Sequence, residues 1–341
     1  MARNFSPWAY WQLRLAEATR TRAAAPDSLD EWRDATRSRL AQLLGAHPER
    51  VPLAVEVTES VECEHYRRDR IVYDTESTMS VPAYLLVPHE REGAPPGPAV
   101  LAIHGHGEGK SMVCDIDDGD ANKRDEITGY NGAYGHELAC RGFVVLAPDL
   151  RCFGERQDPQ WDPSSRRYDC DWNLVCAVMA GTNPLAQNLW DLQRSLDMLC
   201  EHPLVDADRV GACGLSYGGT MTLFTAAVDE RVRAAVVSGY LSSWAAAHRM
   251  PYNMCGSQVM WDQLGELEHV DIGALIAPRA LLAETGTEDL IFPVDAARAT
   301  VASLRSVYEA FDAGARLEHD VFEGPHSWHG TRAYDFLAEH L

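Results

Sequence analysis

A serine flanked by glycines, in Gly214-Leu215-Ser216-Tyr217-Gly218, is the first candidate for chemistry in this sequence. A strand pattern at Arg209–Cys213 precedes it, and a helix is predicted to begin at Gly218. A serine on so sharp a strand-to-helix turn exposes its hydroxyl above a sheet, and only glycine fits the crowded flanking positions. A plain glycine-rich loop is the alternative, but the strand and the helix favour Ser216 as a nucleophile.

Candidates for a base and an acid follow this serine along the chain. A serine hydroxyl is a weak nucleophile, so it needs an imidazole base, which a carboxylate must orient. The loop after the predicted strand Ala280–Ala283 carries Asp289, with Glu288 as the competing carboxylate. The loop after the last predicted strand carries His326 directly behind a Gly-Pro turn, with His329 as the competing imidazole. The sequence predicts Asp289 as the acid and His326 as the base, in the order Ser, Asp, His.

Acyl transfer also needs two N–H donors for the oxyanion of the tetrahedral intermediate. The backbone N–H of Tyr217, which follows the nucleophile, is the first candidate. The turn His104-Gly105-His106-Gly107 follows a buried strand, and the N–H of His106 is the second candidate. A His-x-His pair could instead bind zinc, but no third ligand lies nearby in the sequence, so no metal is predicted.

The elements that must position these residues follow the order of an α/β fold. A helix is predicted at about 29–44, where Ser28 and Glu31 have capping-box spacing and Gly45 provides a stop. Residues 53–57, 66–73 and 81–87 read as antiparallel strands at a sheet edge. Short apolar runs typical of buried parallel strands alternate afterwards with helical stretches. The runs are Ala99–Ile103, Phe143–Ala147, Val210–Gly214, Ala234–Val237, Ala280–Ala283 and Leu317–Phe322, and the helices are at 135–141, 185–201, 218–228, 294–313 and 331–341.

The stretch 240–273 interrupts this alternation and is predicted to be an insertion. It is rich in large apolar side chains, which suit one wall of an acyl or alcohol pocket because the stretch lies at the carboxyl edge of the sheet. The core of the insertion itself is an equally good explanation. The tentative pocket residues are Trp244, Tyr252, Met254 and Trp261.

Two charged segments have simpler explanations than a ligand site. The run Asp115–Asp120 with Glu126 partly matches a calcium loop, but Asp120 occupies the position where such a loop requires glycine. A solvated acidic loop is therefore predicted. Asp149 and Arg151 follow another strand and are expected to tie loops together through a partly buried ion pair.

Composition limits the classes of partner. The 341 residues carry a formal net charge of −21, which argues against nucleic acid or an anionic membrane as partner. Nine cysteines occur without a C-x-x-C pair, which argues against a disulfide framework or a zinc ribbon. No apolar run is long enough for a secretory signal or a membrane span. A cytoplasmic location is therefore expected.

Together these motifs resemble the α/β-hydrolase superfamily, and within it the dienelactone hydrolase and acetyl xylan esterase-like branch. The resemblance covers about residues 80–341 and implies Ser216 as nucleophile, Asp289 as acid, His326 as base and no cofactor. Dienelactone hydrolases proper have a cysteine in place of Ser216. The helical extension of residues 1–50 is also absent from the minimal fold, and an oligomer contact or a flap would explain it. Residues 51–341 are predicted to be the catalytic domain.

The predicted function is hydrolysis of a small or medium carboxylic ester through an acyl-enzyme. Amide or peptide cleavage and acyl transfer to an alcohol would use the same three residues, so they remain alternatives. A non-catalytic ligand-binding homologue is a further alternative, since a fold does not determine a function. The expected partners are a small-molecule ester and, through the N-terminal helices, a second copy of the chain.

Overall fold

One mixed β-sheet runs through the part of the chain that the computed structural model describes. That part is residues 3–18, 28–158, 166–250 and 254–341, with the backbone alone for 166–168. Within it the strands are β1 Glu56–Glu62, β2 Tyr66–Glu76, β3 Met79–Pro88, β4 Gly97–Ile103, β5 Val144–Pro148, β6 Val205–Leu215, β7 Val232–Ser238, β8 Ala280–Gly286 and β9 Leu317–Phe322. Their order across the sheet is β1-β2-β3-β5-β4-β6-β7-β8-β9.

The first three strands form an antiparallel edge, and β3 also pairs antiparallel with β5. All further pairings are parallel. The predicted antiparallel edge and the predicted parallel sheet are both confirmed. The prediction of a first strand at 53–57 was wrong, since β1 begins at Glu56 and is almost entirely exposed. An edge strand with both faces in water has no apolar alternation by which a sequence could locate it.

Helices cover both faces of the sheet. They are α1 Pro7–Glu17, α2 Leu29–Leu44, α3 Lys110–Val113, α4 Ala121–Gly129, α5 Tyr134–Cys140, α6 Arg166–Met179, α7 Pro184–Glu201, α8 Tyr217–Val228, α9 Trp244–Ala247, α10 His269–Ala274, α11 Val294–Ala310 and α12 Ala333–His340. None of these helices is long and apolar enough to cross a membrane.

The central strand β4 shows how the two hydrophobic layers arise. Leu101 and Ile103 face the layer that α2, α7, α8 and α11 cover, while Val100 and Ala102 face the layer of α5 and α12. Successive side chains of a strand point to opposite faces, so an uninterrupted apolar strand needs helices on both sides. The chain has the α/β-hydrolase fold that its sequence predicts.

The two N-terminal helices differ in how they contact the rest of the chain. Leu40 and Leu43 of α2 are buried in the larger core, and Arg37 donates a hydrogen bond of 3.3 Å to the carbonyl of Leu275. Helix α1 has no buried residue, and the Gln12 side chain bonds the carbonyl of His248 at 2.9 Å. Helix α2 therefore belongs to the hydrophobic core, whereas α1 lies on the surface.

Candidate active site

Ser216 lies on a strained turn between β6 and α8. Its backbone angles are φ 61° and ψ −118°, a conformation that is costly for any residue other than glycine. A Cβ atom at Gly218 would lie 2.1 Å from the carbonyl oxygen of Ile103, and one at Gly214 would lie 2.5 Å from Gly218. The glycines are thus required by close backbone contacts, as the sequence motif predicts.

His326 and Asp289 form a hydrogen-bonded pair beside this turn. The His326 Nδ1–H donates to Asp289 Oδ2 at 2.7 Å. The other oxygen of Asp289 accepts the backbone N–H groups of Ile291 and Phe292 at 2.8 and 2.9 Å. These bonds fix the carboxylate, which in turn fixes the imidazole with its proton on Nδ1 and its lone pair on Nε2. Glu288, the competing carboxylate, points into solvent.

Backbone contacts place the imidazole next to the serine. The Ser216 N–H bonds the carbonyl of Ser238 at 2.9 Å, and a Cβ atom at the next residue, Gly239, would lie 2.9 Å from Cε1 of His326. Gly239 has φ +54° and leaves this room because it has no side chain. His326 Nε2 is buried and makes no hydrogen bond to any described residue. It is therefore available to accept the serine proton, and such catalytic bonds are often long without substrate.

A second histidine–carboxylate pair lies three residues further along the chain. His329 Nδ1 bonds Asp320 Oδ2, also at 2.7 Å, and its ring stacks on Phe322 at 4.4 Å between centroids. These partners belong to β9, and the Asp320 side chain is 17% exposed whereas that of Asp289 is 1% exposed. The structure therefore places His326 against Gly239, next to the backbone that holds Ser216, and pairs His329 with strand β9.

The two residues predicted to supply oxyanion donors lie on either side of a tight backbone contact. A Cβ atom at Gly105 would lie 2.8 Å from the carbonyl of Leu215 and 3.5 Å from Cβ of Ser216, so the loop with His106 packs against the serine turn. Tyr217 is the first residue of α8, so its N–H has no acceptor within the helix. The rings of His106 and Tyr217 lie 5.1 Å apart.

The neighbouring His104 has a structural role. It is fully buried, and its Nε2 accepts the N–H of Leu150 at 2.9 Å. Burial lowers the pKa of its imidazole, which keeps the ring neutral. The ring of His106 points elsewhere, with Nε2 3.2 Å from the thiol of Cys255. Both ring nitrogens of His104 are engaged within the protein, since Nδ1 bonds the carbonyl of Gly105 at 2.6 Å, so the structure gives no support to the zinc alternative that uses both histidines.

The tentative pocket residues of the insertion have different surroundings. Trp244 is buried, donates its indole N–H to the carbonyl of Leu267 at 2.7 Å and packs against His269. Met254 packs against the larger core, and Trp261 is 44% exposed with its indole N–H on Thr182. Tyr252 lies outside the described residues. Trp244 therefore supports the core of the insertion, and pocket roles for the others stay predictions.

Asp149 and Arg151 each form a buried ion pair, but with partners that the sequence did not predict. Asp149 Oδ2 accepts the ammonium of Lys110 at 2.6 Å, and this side-chain pair is almost fully buried. Arg151 pairs with Asp191 at 2.8 Å and with Glu76. Lys110 opens α3, shortly after the turn His104–Gly107, so its ion pair anchors the segment that follows this turn to the end of β5.

The acidic run 115–120 is held by basic residues of the next helix. Arg124 of α4 pairs with Asp115 and Asp117 at 2.5 and 2.6 Å, and Lys123 pairs with Asp118 at 3.2 Å. The side chains are exposed or half-exposed. These contacts agree with a solvated, ion-paired acidic loop.

A buried carboxyl group lies beneath the site and was not singled out in the sequence. Glu284 of β8 bonds the N–H of Gly330 through Oε1 at 2.9 Å, and its carbonyl accepts the N–H of Gly239 at 3.0 Å. Burial raises the pKa of Glu284 to about 7. The predicted strand ended at Ala283, one residue before it, because apolar character stops there.

Comparison with known sequences identifies the family of this chain. The sequence model described as "Abhydrolase family" matches residues 13–292. The Bacillus subtilis (strain 168) protein named "Putative hydrolase YtaP" is 28% identical over 278 residues, which are 80% of this chain and 86% of the relative. The matched family range includes Ser216 and Asp289 and ends before His326.

Solved structures share the fold. A structure from Bacteroides fragilis described as a "putative acetyl xylan esterase" superposes with a TM-score of 0.80 at 17% identity, covering 94% of this chain and 83% of its own. A structure described as a glucuronoyl esterase from Solibacter usitatus superposes with a TM-score of 0.66 at 16% identity, covering 95% of this chain and 98% of its own. At these identities the likeness concerns the fold.

Proposed function

Because the chain belongs to the Abhydrolase family, we propose that it is a serine hydrolase that cleaves carboxylic esters with Ser216, His326 and Asp289. The hydrogen bond of 2.7 Å between His326 and the buried Asp289, next to the strained serine turn, is the main support. A buried carboxylate that orients an imidazole is typical of a catalytic histidine, and a strained backbone at a serine is typical of a functional site.

The proposed reaction begins with attack of Ser216 Oγ on the ester carbonyl carbon. His326 Nε2 accepts the hydroxyl proton as the Oγ–C bond forms, and the resulting imidazolium remains paired with Asp289. The tetrahedral intermediate then collapses, and His326 returns the proton to the departing alkoxide. Water repeats the sequence on the acyl-enzyme, so one ester and one water give one acid and one alcohol, and Ser216 is regenerated.

The backbone N–H groups of Tyr217 and His106 are the proposed donors to the oxyanion. In comparable sites, removal of one such donor lowers the rate by about 10²–10³-fold. The close packing of Gly105 on Leu215 supports this assignment, because it holds the two segments at a fixed separation.

The proposed substrates are esters with a small or medium acyl group. Two of the related structures are described as an acetyl xylan esterase and a glucuronoyl esterase, which supports an ester rather than an amide as the substrate class. No cofactor enters the proposed steps, because the triad supplies both the nucleophile and the proton transfer.

We expect Ser216→Ala to reduce release of p-nitrophenol from p-nitrophenyl acetate and butyrate by at least about 10⁴-fold, since the attacking atom is lost. Ser303→Ala is the matched control, because Ser303 lies on the exposed face of α11 and bonds only its own helix. Far-ultraviolet circular dichroism would show that both variants fold.

A fluorophosphonate probe gives an independent readout. Peptide mapping should place the adduct on Ser216, and labelling should disappear in Ser216→Ala. An adduct on another residue, or undiminished turnover in the variant, would refute the assignment. A parallel panel of lactones, thioesters and amides, with and without an alcohol acceptor, separates hydrolysis of esters from amide cleavage and from acyl transfer.

A further inference from the structure

The side chain of His106 belongs to a cluster of sulfur and nitrogen atoms that has no part in the proposed reaction, which uses only the backbone N–H of this residue. His106, Cys170 and Cys255 each place one such atom so that all three lie within 4.8 Å of one another. His106 Nε2 and Cys255 Sγ are 3.2 Å apart. Both cysteines are buried, and neither forms a disulfide. Imidazole and thiol groups gathered away from solvent are the donor set that zinc prefers.

The three residues come from separate segments of the fold. His106 belongs to the loop after β4, Cys170 to helix α6, and Cys255 to the insertion between β7 and β8. The cluster is therefore the place where the oxyanion loop, α6 and the insertion meet. Bonds to one ion would join these three segments. No disulfide joins them within the described residues.

The spacing of the atoms fits a tetrahedral ion. Zinc bonds of about 2.3 Å to sulfur and 2.0–2.1 Å to nitrogen imply ligand separations of about 3.8 Å between two sulfurs and about 3.5 Å between sulfur and nitrogen. The distance of 3.2 Å between His106 Nε2 and Cys255 Sγ is close to the sulfur–nitrogen value, and every pair of ligand atoms in the cluster lies within 4.8 Å. Side-chain movements of at most about 1 Å would bring the atoms to these separations.

The surroundings offer a route to the cluster and a fourth ligand position. Cys152 interacts with the thiol of Cys170 and also lines an open cleft of about 400 Å³, together with Asp169 and Trp172. The cleft therefore lies one side chain away from the cluster. A water molecule from the cleft would complete four-coordination.

We propose that His106, Cys170 and Cys255 form a structural zinc site that holds the oxyanion loop against α6 and the insertion. The two cysteines bind as thiolates, so binding releases two protons to solvent and the pair of negative charges balances Zn²⁺. Zinc is not redox-active, so no oxidant or reductant takes part. The ion acts on the site only by fixing the loop of His106.

Metal binding is tested on the full-length chain purified without metal-affinity resin. After removal of metal with a chelator, the wild type should take one equivalent of Zn²⁺ from a chromophoric chelator, whereas Cys170→Ser and Cys255→Ser should lose this binding. Cys200→Ser is the matched control, since Cys200 is a half-buried thiol on α7 outside the cluster. Ser216→Ala should bind zinc like the wild type, which separates this proposal from the proposed esterase.

Cobalt substitution in the wild type makes the test independent of how the variants fold. Co²⁺ should give an intense thiolate-to-metal charge-transfer band and the visible spectrum of a tetrahedral ion. Absence of that band, equal loss of zinc from Cys200→Ser, or a disulfide between Cys170 and Cys255 in the freshly purified protein would overturn the proposal.

Discussion

Asp289 and Glu288 are neighbours in one loop, yet the fold gives them opposite surroundings. Asp289 is buried and accepts two backbone N–H groups and the imidazole, whereas Glu288 is exposed. A carboxylate held by several donors can orient a base, while a solvated one cannot. Which of the two carboxylates pairs with His326 is therefore decided by side-chain burial, which a sequence shows only indirectly.

We expect Asp289→Asn to lower kcat for p-nitrophenyl butyrate by about 10⁴-fold, because an asparagine favours the wrong imidazole tautomer. KM should change little, since Asp289 is not expected to touch the substrate. Glu288→Gln is the matched control and should retain activity within about twofold, since a solvent-exposed loop charge contributes little. An equal loss in both variants would show that Asp289 is not the acid.

At the scale of elements, the site depends on where loops leave the sheet. The turn at Ser216 follows β6, Asp289 follows β8 and His326 follows β9, so parallel strands bring all three to one edge. Helix α3, which follows the turn His104–Gly107, is tied to the end of β5 through Lys110 and the buried Asp149.

We expect Lys110→Met to lower the free energy of unfolding by about 3–5 kcal/mol, because it leaves Asp149 buried without its cation. Lys123→Met is the control. Lys123 is the only other lysine in the sequence and pairs with Asp118, which is 64% exposed, so its loss should cost at most about 1 kcal/mol. Urea unfolding of both variants checks this, and similar losses would contradict it.

Much of the fold could be predicted from the sequence, and so could the proximity of His326 and Asp289, because both follow from local patterns. Apolar runs mark buried strands, and a serine between glycines marks the turn at Ser216. Helix α6 was missed because several apolar side chains, including Trp172 and Met179, face solvent and obscure its period. The thiol and imidazole cluster was missed because its members stand at 106, 170 and 255, with no spacing that a linear motif could reveal.

At the scale of the whole molecule, the free energy of unfolding depends on pH through Glu284. The folded chain holds this carboxyl with a pKa of about 7, against a usual value of 4.5. Between these values the folded state therefore binds a proton that the unfolded state has lost. The free energy of unfolding should fall as the pH rises from about 4.5 to about 7. Above this range the stability lost by ionising the buried carboxyl group should be lost in full.

We expect Glu284→Gln to remove this dependence, since glutamine is neutral at every pH. The Tm of the variant should be close to that of the wild type near about pH 5 and should exceed it increasingly towards about pH 8. Glu323→Gln, in an exposed loop, should follow the wild type. Thermal unfolding of the three proteins across this pH range tests the prediction. Parallel plots of Tm against pH for the wild type and Glu284→Gln would refute the linkage.

The two histidine–carboxylate pairs also bear on how such sites are recognised. His326 and His329 each hold a carboxylate at 2.7 Å, so a search template built on that distance alone would return both. The backbone of Ser216, at φ 61°, distinguishes them because only one pair lies beside it. A geometric template for this site should therefore be anchored on the dihedral angles of the serine, with the histidine–carboxylate pair as a secondary criterion.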